Sequence, residues 1–336
     1  MAVTLRDVAG VAGVSIKTVS NVINDHPYVR QETRARVEAA IAELGYSPNL
    51  TARNLRSGRT GAIALAVPDL SLPYFAELAA AVIREAEAAG VVVFVEQTGA
   101  DRARELEVLR GRRRGLTDGL IFSPLGLEAE DLAEVGSAYP VVMLGERVFD
   151  APAHHVTMRN VEAARAATEY LLAQGRRRIA VIGAHVDEEV GSASLRMRGY
   201  REALDAAGIP YDDAIVGRAA LWHRSSGADA MREMLSRDVD IDAVFGLNDT
   251  VALGAMRVLL RSGRRVPEDV AVMGFDALNE TEFSIPSLTT VDPGRAWIAK
   301  TAVSTLLARI AGGADAAPRR LLADFRIVER ESTARD

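Results

Sequence analysis

The 336-residue chain contains no cysteine, which excludes disulfides, thiolate nucleophiles and cysteine-bound metals. No apolar run approaches the roughly 20 residues that span a bilayer. Residues 1–7 lack a basic stretch followed by an apolar core, so no secretion signal is read and a cytoplasmic protein is expected. The phosphate-cradling G-x-G-x-x-G and G-x-x-x-x-G-K-[ST] loops are absent, as are the G-x-S-x-G nucleophile elbow and the H-E-x-x-H zinc motif. Histidines number five. His154 and His155 adjoin on an expected strand and would face opposite sides, which leaves no shared metal. Asp187, Glu188 and Glu189 read as a solvated loop. No catalytic constellation, metal site or cofactor site is therefore expected.

What is present divides unevenly. The length calls for two or three domains, and 49% hydrophobic with 26% charged residues is ordinary for a globular protein. The net charge of −6 argues at first against a nucleic-acid partner. Residues 1–60, however, hold eight arginines and lysines against five acids, a net +3 that leaves −9 for the rest. A basic head on an acidic body suits a DNA-binding module carried by a sensor of neutral ligands.

Three helical periodicities fill the first 46 residues. Leu5, Val8 and Ala9 share one face of a helix starting near Thr4, whose spacing to Asp7 is that of a capping box. Gly13 supplies the tight turn. Ser15 caps a second helix that buries Val19, Val22 and Ile23, and a third runs over 31–44, burying Val37, Ala40, Ile41 and Leu44. The second helix must then turn Ile16, Lys17, Thr18, Ser20 and Asn21 outward, polar groups and one cation that fit a major groove. Periodicity alone is equally compatible with a plain three-helix bundle and a solvated face. Only two lysines occur in the chain, against 38 arginines, and one of them stands here.

The literal order of residues goes further. Val3-Thr4-Leu5-Arg6-Asp7-Val8-Ala9, Ala12-Gly13-Val14-Ser15 and Thr18-Val19-Ser20-Asn21-Val22-Ile23-Asn24 closely resemble the headpiece of the lactose/galactose repressor (LacI/GalR) family. Glu32-Thr33-Arg34 and Ala42-Glu43-Leu44-Gly45-Tyr46-Ser47-Pro48-Asn49 continue the match. The resemblance implies base contacts from Ile16, Lys17 and Asn21, and backbone contacts from Thr4, Thr18, Ser20, Asn24, Thr33 and Arg34. It also implies that residues 47–60 form a short hinge helix in the minor groove. There Leu55 would be the wedge beside Ala52, with Asn49, Arg53 and Arg56 near the backbone. Without the resemblance this stretch reads equally as a basic linker. Arg30 departs from the family, which usually has a capping hydroxyl there.

From residue 61 onward short buried strands alternate with amphipathic helices, the pattern of an α/β fold with doubly wound parallel sheets. Strands are expected at 62–68, 91–97, 119–123, 141–145, 178–182, 243–247 and 270–275, and helices at 76–89, 161–174, 195–207 and 250–261. The same alternation describes many enzymes. Arg326-Ile327-Val328-Glu329-Arg330-Glu331-Ser332-Thr333 extends the family resemblance to the end of the chain, and implies a two-lobed domain like periplasmic sugar-binding proteins. The expected division is a headpiece at 1–46, a hinge at 47–60 and a sensor at 61–336. The first lobe would take 61–159 and 292–320, the second 160–291 and 321–336, with crossings near 158–160, 290–293 and 319–323. By motif the resemblance places Asp69, Tyr74, Phe75, Arg196, Trp222, Asn248 and Asp276 at an effector pocket, with Arg147 a second cation there. Phe75 reads also as core, and Asp249 as a helix cap. A sugar, a sugar phosphate or a nucleoside remain open as effector. No leucine heptads follow residue 320, so a homodimer on a pseudo-palindromic DNA operator is expected, with no membrane partner.

Overall fold

Thr4 opens the first helix, α1 (Leu5–Ala12): its backbone N–H donates to Asp7 Oδ2 at 2.8 Å while its hydroxyl accepts the Asp7 amide at 3.4 Å. Gly13 ends it at φ 63°, a left-handed conformation that side-chain-bearing residues adopt only under strain. Ser15 Oγ accepts the Thr18 amide at 3.1 Å and starts α2 (Ile16–Ile23), and α3 spans Gln31–Leu44. Val8, Ala9, Ala12, Val19, Val22, Val37 and Ala40 form the core between the three. The computed structural model describes residues 3–23, 26–46, 59–111, 115–128, 130–131, 139–146, 151–185, 190–312 and 317–334. The expected hinge helix with Asn49, Ala52, Arg53, Leu55 and Arg56, together with Asn24 and Arg147, lies outside them.

Arg30 is the N-cap of α3 and makes no side-chain cap. Arg30→Ser would offer a hydroxyl to the first-turn amides and add about 1 kcal/mol of local stability. The Glu32 and Thr33 amides are then expected to exchange with solvent roughly fivefold more slowly, as read by hydrogen exchange. Unchanged exchange would refute the cap argument.

The chain divides into two compact units, Met1–Thr60 and Gly61–Asp336. In the second, strands such as Ala-Ile-Ala-Leu-Ala-Val and Ile-Ala-Val-Ile-Gly-Ala are apolar along their whole length and lie almost wholly buried, the composition of sheets covered on both faces. The first lobe contains β1 (Ala62–Val67), β2 (Val92–Gln97), β3 (Leu120–Phe122), β4 (Val141–Leu144), β5 (His154–Met158) and β11 (Arg320–Ala323), in spatial order 11-5-4-3-1-2. The second contains β6 (Ile179–Ala184), β7 (Val216–Arg218), β8 (Ala243–Gly246), β9 (Ala271–Phe275), β10 (Thr289–Asp292) and β12 (Arg326–Val328), in order 12-10-9-8-6-7. All neighbours run parallel except β10 and β12. Helices α4 (Pro73–Ala88), α5 (Arg102–Leu109) and α11 (Arg295–Ile310) belong to the first lobe. Helices α6 (Asn160–Ala173), α7 (Ser192–Ala206), α8 (Arg224–Ser236), α9 (Asp249–Arg261) and α10 (Glu280–Phe283) belong to the second.

The chain passes between lobes after β5, after β10 and between β11 and β12. The last passage falls later than the sequence suggested. Residues through Ala323 pair with β5, Ala323 opposite Met158, so the first lobe runs to 323 rather than 320. Ion pairs brace the passages: Arg159 to Asp324 at 3.3 Å and Arg326 to Asp292 at 3.1 Å. Arg159, just after β5, thus serves the crossing. Among the described residues no helix is long and apolar enough to cross a membrane.

Candidate DNA face and effector cleft

On α2 the buried pair Val19 and Val22 fixes which side faces solvent. Ile16 is 43% exposed, Lys17 is exposed, and Ser20 and Asn21 are partly so. The other expected backbone contacts also brace the headpiece. The Thr18 hydroxyl lies 2.9 Å from Ser15 Oγ, the Thr4 hydroxyl donates to Asp7 at 2.7 Å, and Arg34 donates to the His26 carbonyl at 3.2 Å. Thr33 is half-buried on the first turn of α3.

In the sensor, both sheets reverse their winding at the same place, between β1 and β3 and between β6 and β8, where side chains can converge beyond the carboxyl ends of strands. A narrow cleft with a cavity volume of about 80 Å³ lies there, tighter than ligand-filled small-molecule sites usually are. Ser123 follows β3, Glu146 follows β4 and Thr157 ends β5 on the first lobe, while Asn248 follows β8 and Asp276 follows β9 on the second. The first turn of α4 contributes Tyr74 and Phe75, α7 contributes Ser192 and Arg196, and Trp222 lies before α8.

Arg196 is buried, and each of its three nitrogens has a partner. Nε donates to Asn160 Oδ1 at 2.8 Å, Nη1 to the Leu247 carbonyl, and Nη2 approaches Met158 Sδ at 3.4 Å and Asp276 Oδ1 at 3.6 Å. Its guanidinium lies 3.6 Å from the Phe275 ring centroid and 5.2 Å from that of Trp222. The Trp222 indole N–H donates to the Gly183 carbonyl at 2.8 Å. A Cβ on Gly183 would come within 3.1 Å of that nitrogen, so glycine lets the ring lie against the strand.

Asp276 is buried and adopts φ 116°. Burial raises its pKa to about 6, against the pull of Arg196 and then Arg295 and with a further push from Glu146 and Glu77. Glu146 accepts from the Thr157 hydroxyl at 3.0 Å and, across the cleft, from the Ser192 hydroxyl at 2.5 Å. Burial also raises the Tyr74 hydroxyl above its ordinary range. Tyr74 and Phe75 meet edge to face at 5.3 Å, and both pack on the core as well as lining the cleft.

Two readings differ from the structure. Asn248, not Asp249, caps α9, accepting the Val251 amide at 2.8 Å. Asp249 lies beneath, accepting from Thr290 Oγ1 at 2.6 Å and the Leu278 amide at 2.8 Å, and burial holds its pKa well above the usual carboxylate range. Asp69 turns back on Ser71, accepting its amide and hydroxyl at 2.8 Å each, and does not line the cleft. Glu146, Thr157, Ser123 and Ser192 were not singled out by motif. Glu146 could have been found from its place after Gly145 at the carboxyl end of an apolar strand, the same kind of position that Asp276 holds after β9.

Comparison with known proteins agrees on both units. Residues 4–49 match the model of bacterial regulatory proteins of the lacI family, and residues 168–333 that of a periplasmic binding protein-like domain. The HTH-type transcriptional regulator CelR of Thermobifida fusca is 37% identical over 344 residues, covering 98% of each chain. A solved CelR–cellobiose complex matches with TM-score 0.71 at 35% identity over 98% of this chain and 99% of that one. The lac repressor dimer, solved bound to operator and the anti-inducer ONPF, matches with TM-score 0.81 at 30% identity, covering 99% of both chains. The chain belongs to the LacI family of bacterial DNA-binding transcriptional regulators.

Proposed function

We propose that this regulator is a repressor that binds a pseudo-palindromic operator as a homodimer, its grip set by a neutral carbohydrate in the cleft. The observation that carries the effector class is the charge balance of the cleft. Among the described residues lining it, Glu146 and Asp276 are carboxylates and Arg196 is the one cation, with a partner already at each of its three nitrogens. A phosphate or carboxylate ligand would meet net negative charge and no free guanidinium fork. Sugar hydroxyls instead find carboxylate acceptors on both walls, and an indole face to lie against. The cellobiose in the CelR complex supports the same class, and the dimeric lac repressor on its operator supports the DNA-binding state. The exposed α2 face of each protomer would read one half-site.

The test is a melting-temperature screen of the full chain against neutral mono- and disaccharides, sugar phosphates and nucleosides, paired with a gel shift on the chain's own upstream DNA. A ligand at 100 times its Kd adds about 2.7 kcal/mol. A response confined to sugar phosphates would sink the neutral-ligand reading. No retention of upstream DNA would sink the operator reading.

A pH dependence follows. Ligand hydroxyls favour the ionised form of Asp276, so its pKa falls on binding. Affinity is therefore full above about pH 6 and drops as pH falls below it, approaching tenfold per unit. Arg196, Arg295, Glu146 and Glu77 face this carboxyl. Titration calorimetry with the responding sugar between pH 5 and 8 checks it, and a flat profile would remove Asp276 from the ligand.

A further inference from the structure

The loop that carries Asp276 is held from both lobes. Asp276 and Ala277 adopt φ 116° and 49°, a region costly for residues with a side chain, so neighbours must hold them there. From within the second lobe, Thr290 Oγ1 accepts the Ala277 amide at 3.2 Å and Asp249 accepts the Leu278 amide. From the first lobe come Arg295, at the start of α11, and Glu77, on α4. Arg295 donates to the Asp276 carbonyl at 2.7 Å, to the Ala277 carbonyl at 3.3 Å and to Glu77 Oε2 at 2.5 Å. The other oxygen of Glu77 accepts the Asn279 amide at 3.0 Å. The two side chains are only 15% and 20% exposed, so water screens their pairing weakly.

We propose that Glu77 and Arg295 form a latch that joins the lobes at this turn and positions Asp276 for the effector. Neither residue lines the cleft. Their action is through the turn, and its relevance to signalling rests on the reading of the cleft as the effector site. Parting the lobes at this edge breaks three hydrogen bonds together: Asn279 from Glu77, and the carbonyls of Asp276 and Ala277 from Arg295. It also frees a strained turn to relax, so the direction of Asp276 changes with the separation of the lobes. An effector that holds Asp276 in place thereby favours the latched state, and loss of the latch favours the open one.

Because the chain has no cysteine, spin labels can be attached to cysteines introduced at the exposed helix positions Glu87 and Asp205, one per lobe. Labelled chain is diluted into unlabelled chain so that only intrachain pairs contribute, and the interlobe distance distribution is measured without sugar. Glu77→Gln and Arg295→Met are each expected to lengthen and broaden it, with Arg295→Lys intermediate, and the double variant no broader than Arg295→Met. Melting curves confirm that the variants are folded. A parental distribution in folded Glu77→Gln or folded Arg295→Met overturns the latch, since each removes the Glu77–Arg295 ion pair at its centre. Should Arg295→Met prevent folding, Glu77→Gln and Arg295→Lys decide by the same criterion. The measurement uses no ligand, so its failure leaves the effector reading intact. Absence of any sugar response would likewise leave the latch intact.

Discussion

Replacing Asp276 by asparagine is expected to raise the melting temperature of the free protein while abolishing its response to effector. The stability half follows from linkage. Asp276 ionises near 3.8 when unfolded and at about 6 when folded. Between those values the folded chain holds a proton that the unfolded chain has released, so stability falls as pH rises through that window and stays lower above it. About two pKa units correspond to roughly 3 kcal/mol at pH 8. Asparagine mimics the neutral acid and recovers up to that amount, a gain of several degrees. The binding half follows because the buried carboxylate stands 3.6 Å from its nearest cation, Arg196, which leaves it oxygen lone pairs to accept from a ligand. Losing two charge-assisted bonds to sugar hydroxyls costs about 3 kcal/mol or more, at least a hundredfold in affinity. Thermal melts with and without sugar, and operator retention in a gel shift, measure both halves. A variant that melts lower and still responds would show that Asp276 is a structural carboxylate.

That opposition explains which parts of the molecule could be read from the sequence. Headpiece helices are local objects, so Thr4, Ser15, Gly13 and the apolar stripes were sufficient to place them within a residue or so. Six of the seven expected strands are central and almost wholly buried, and burial on both faces demands unbroken apolar runs; the seventh, β2, lies at a sheet edge, and the buried but threonine-rich β10 offered no such run. The edge strands β7, β11 and β12 were not legible, being three or four residues long and partly exposed, with no run and no full alternation to mark them. The cleft was half legible. Residues at strand ends, such as Asn248 and Asp276, follow from topology, and Glu146 obeys the same rule. The state of Arg196 does not follow, because its partners Asn160 and Leu247 lie 36 and 51 residues away. The pairing of Glu77 with Arg295 across 218 residues leaves no trace in local pattern at all.

Lys17→Ala should weaken operator binding by about 1–3 kcal/mol per half-site, compounding across a dimer, and relax preference at one base pair in each. Binding to random DNA should change far less. The reason lies in what each contact can discriminate. A lysine on phosphate contributes to every sequence alike and steepens the salt dependence, whereas one at a guanine edge contributes only to the right sequence. Lys17 stands beside Ile16 on the first turn of α2, exposed while Val19 and Val22 occupy the core side. Ile16 sharpens the argument. A branched apolar side chain left 43% exposed beside a cation gains nothing from water. A thymine methyl would cover it, so the Ile16–Lys17 pair is set to read adjacent bases. Operator and random duplexes titrated at two salt concentrations separate the cases. Equal weakening on both, with a salt slope reduced by about one, would assign Lys17 to the backbone and leave Asn21 to carry the base reading.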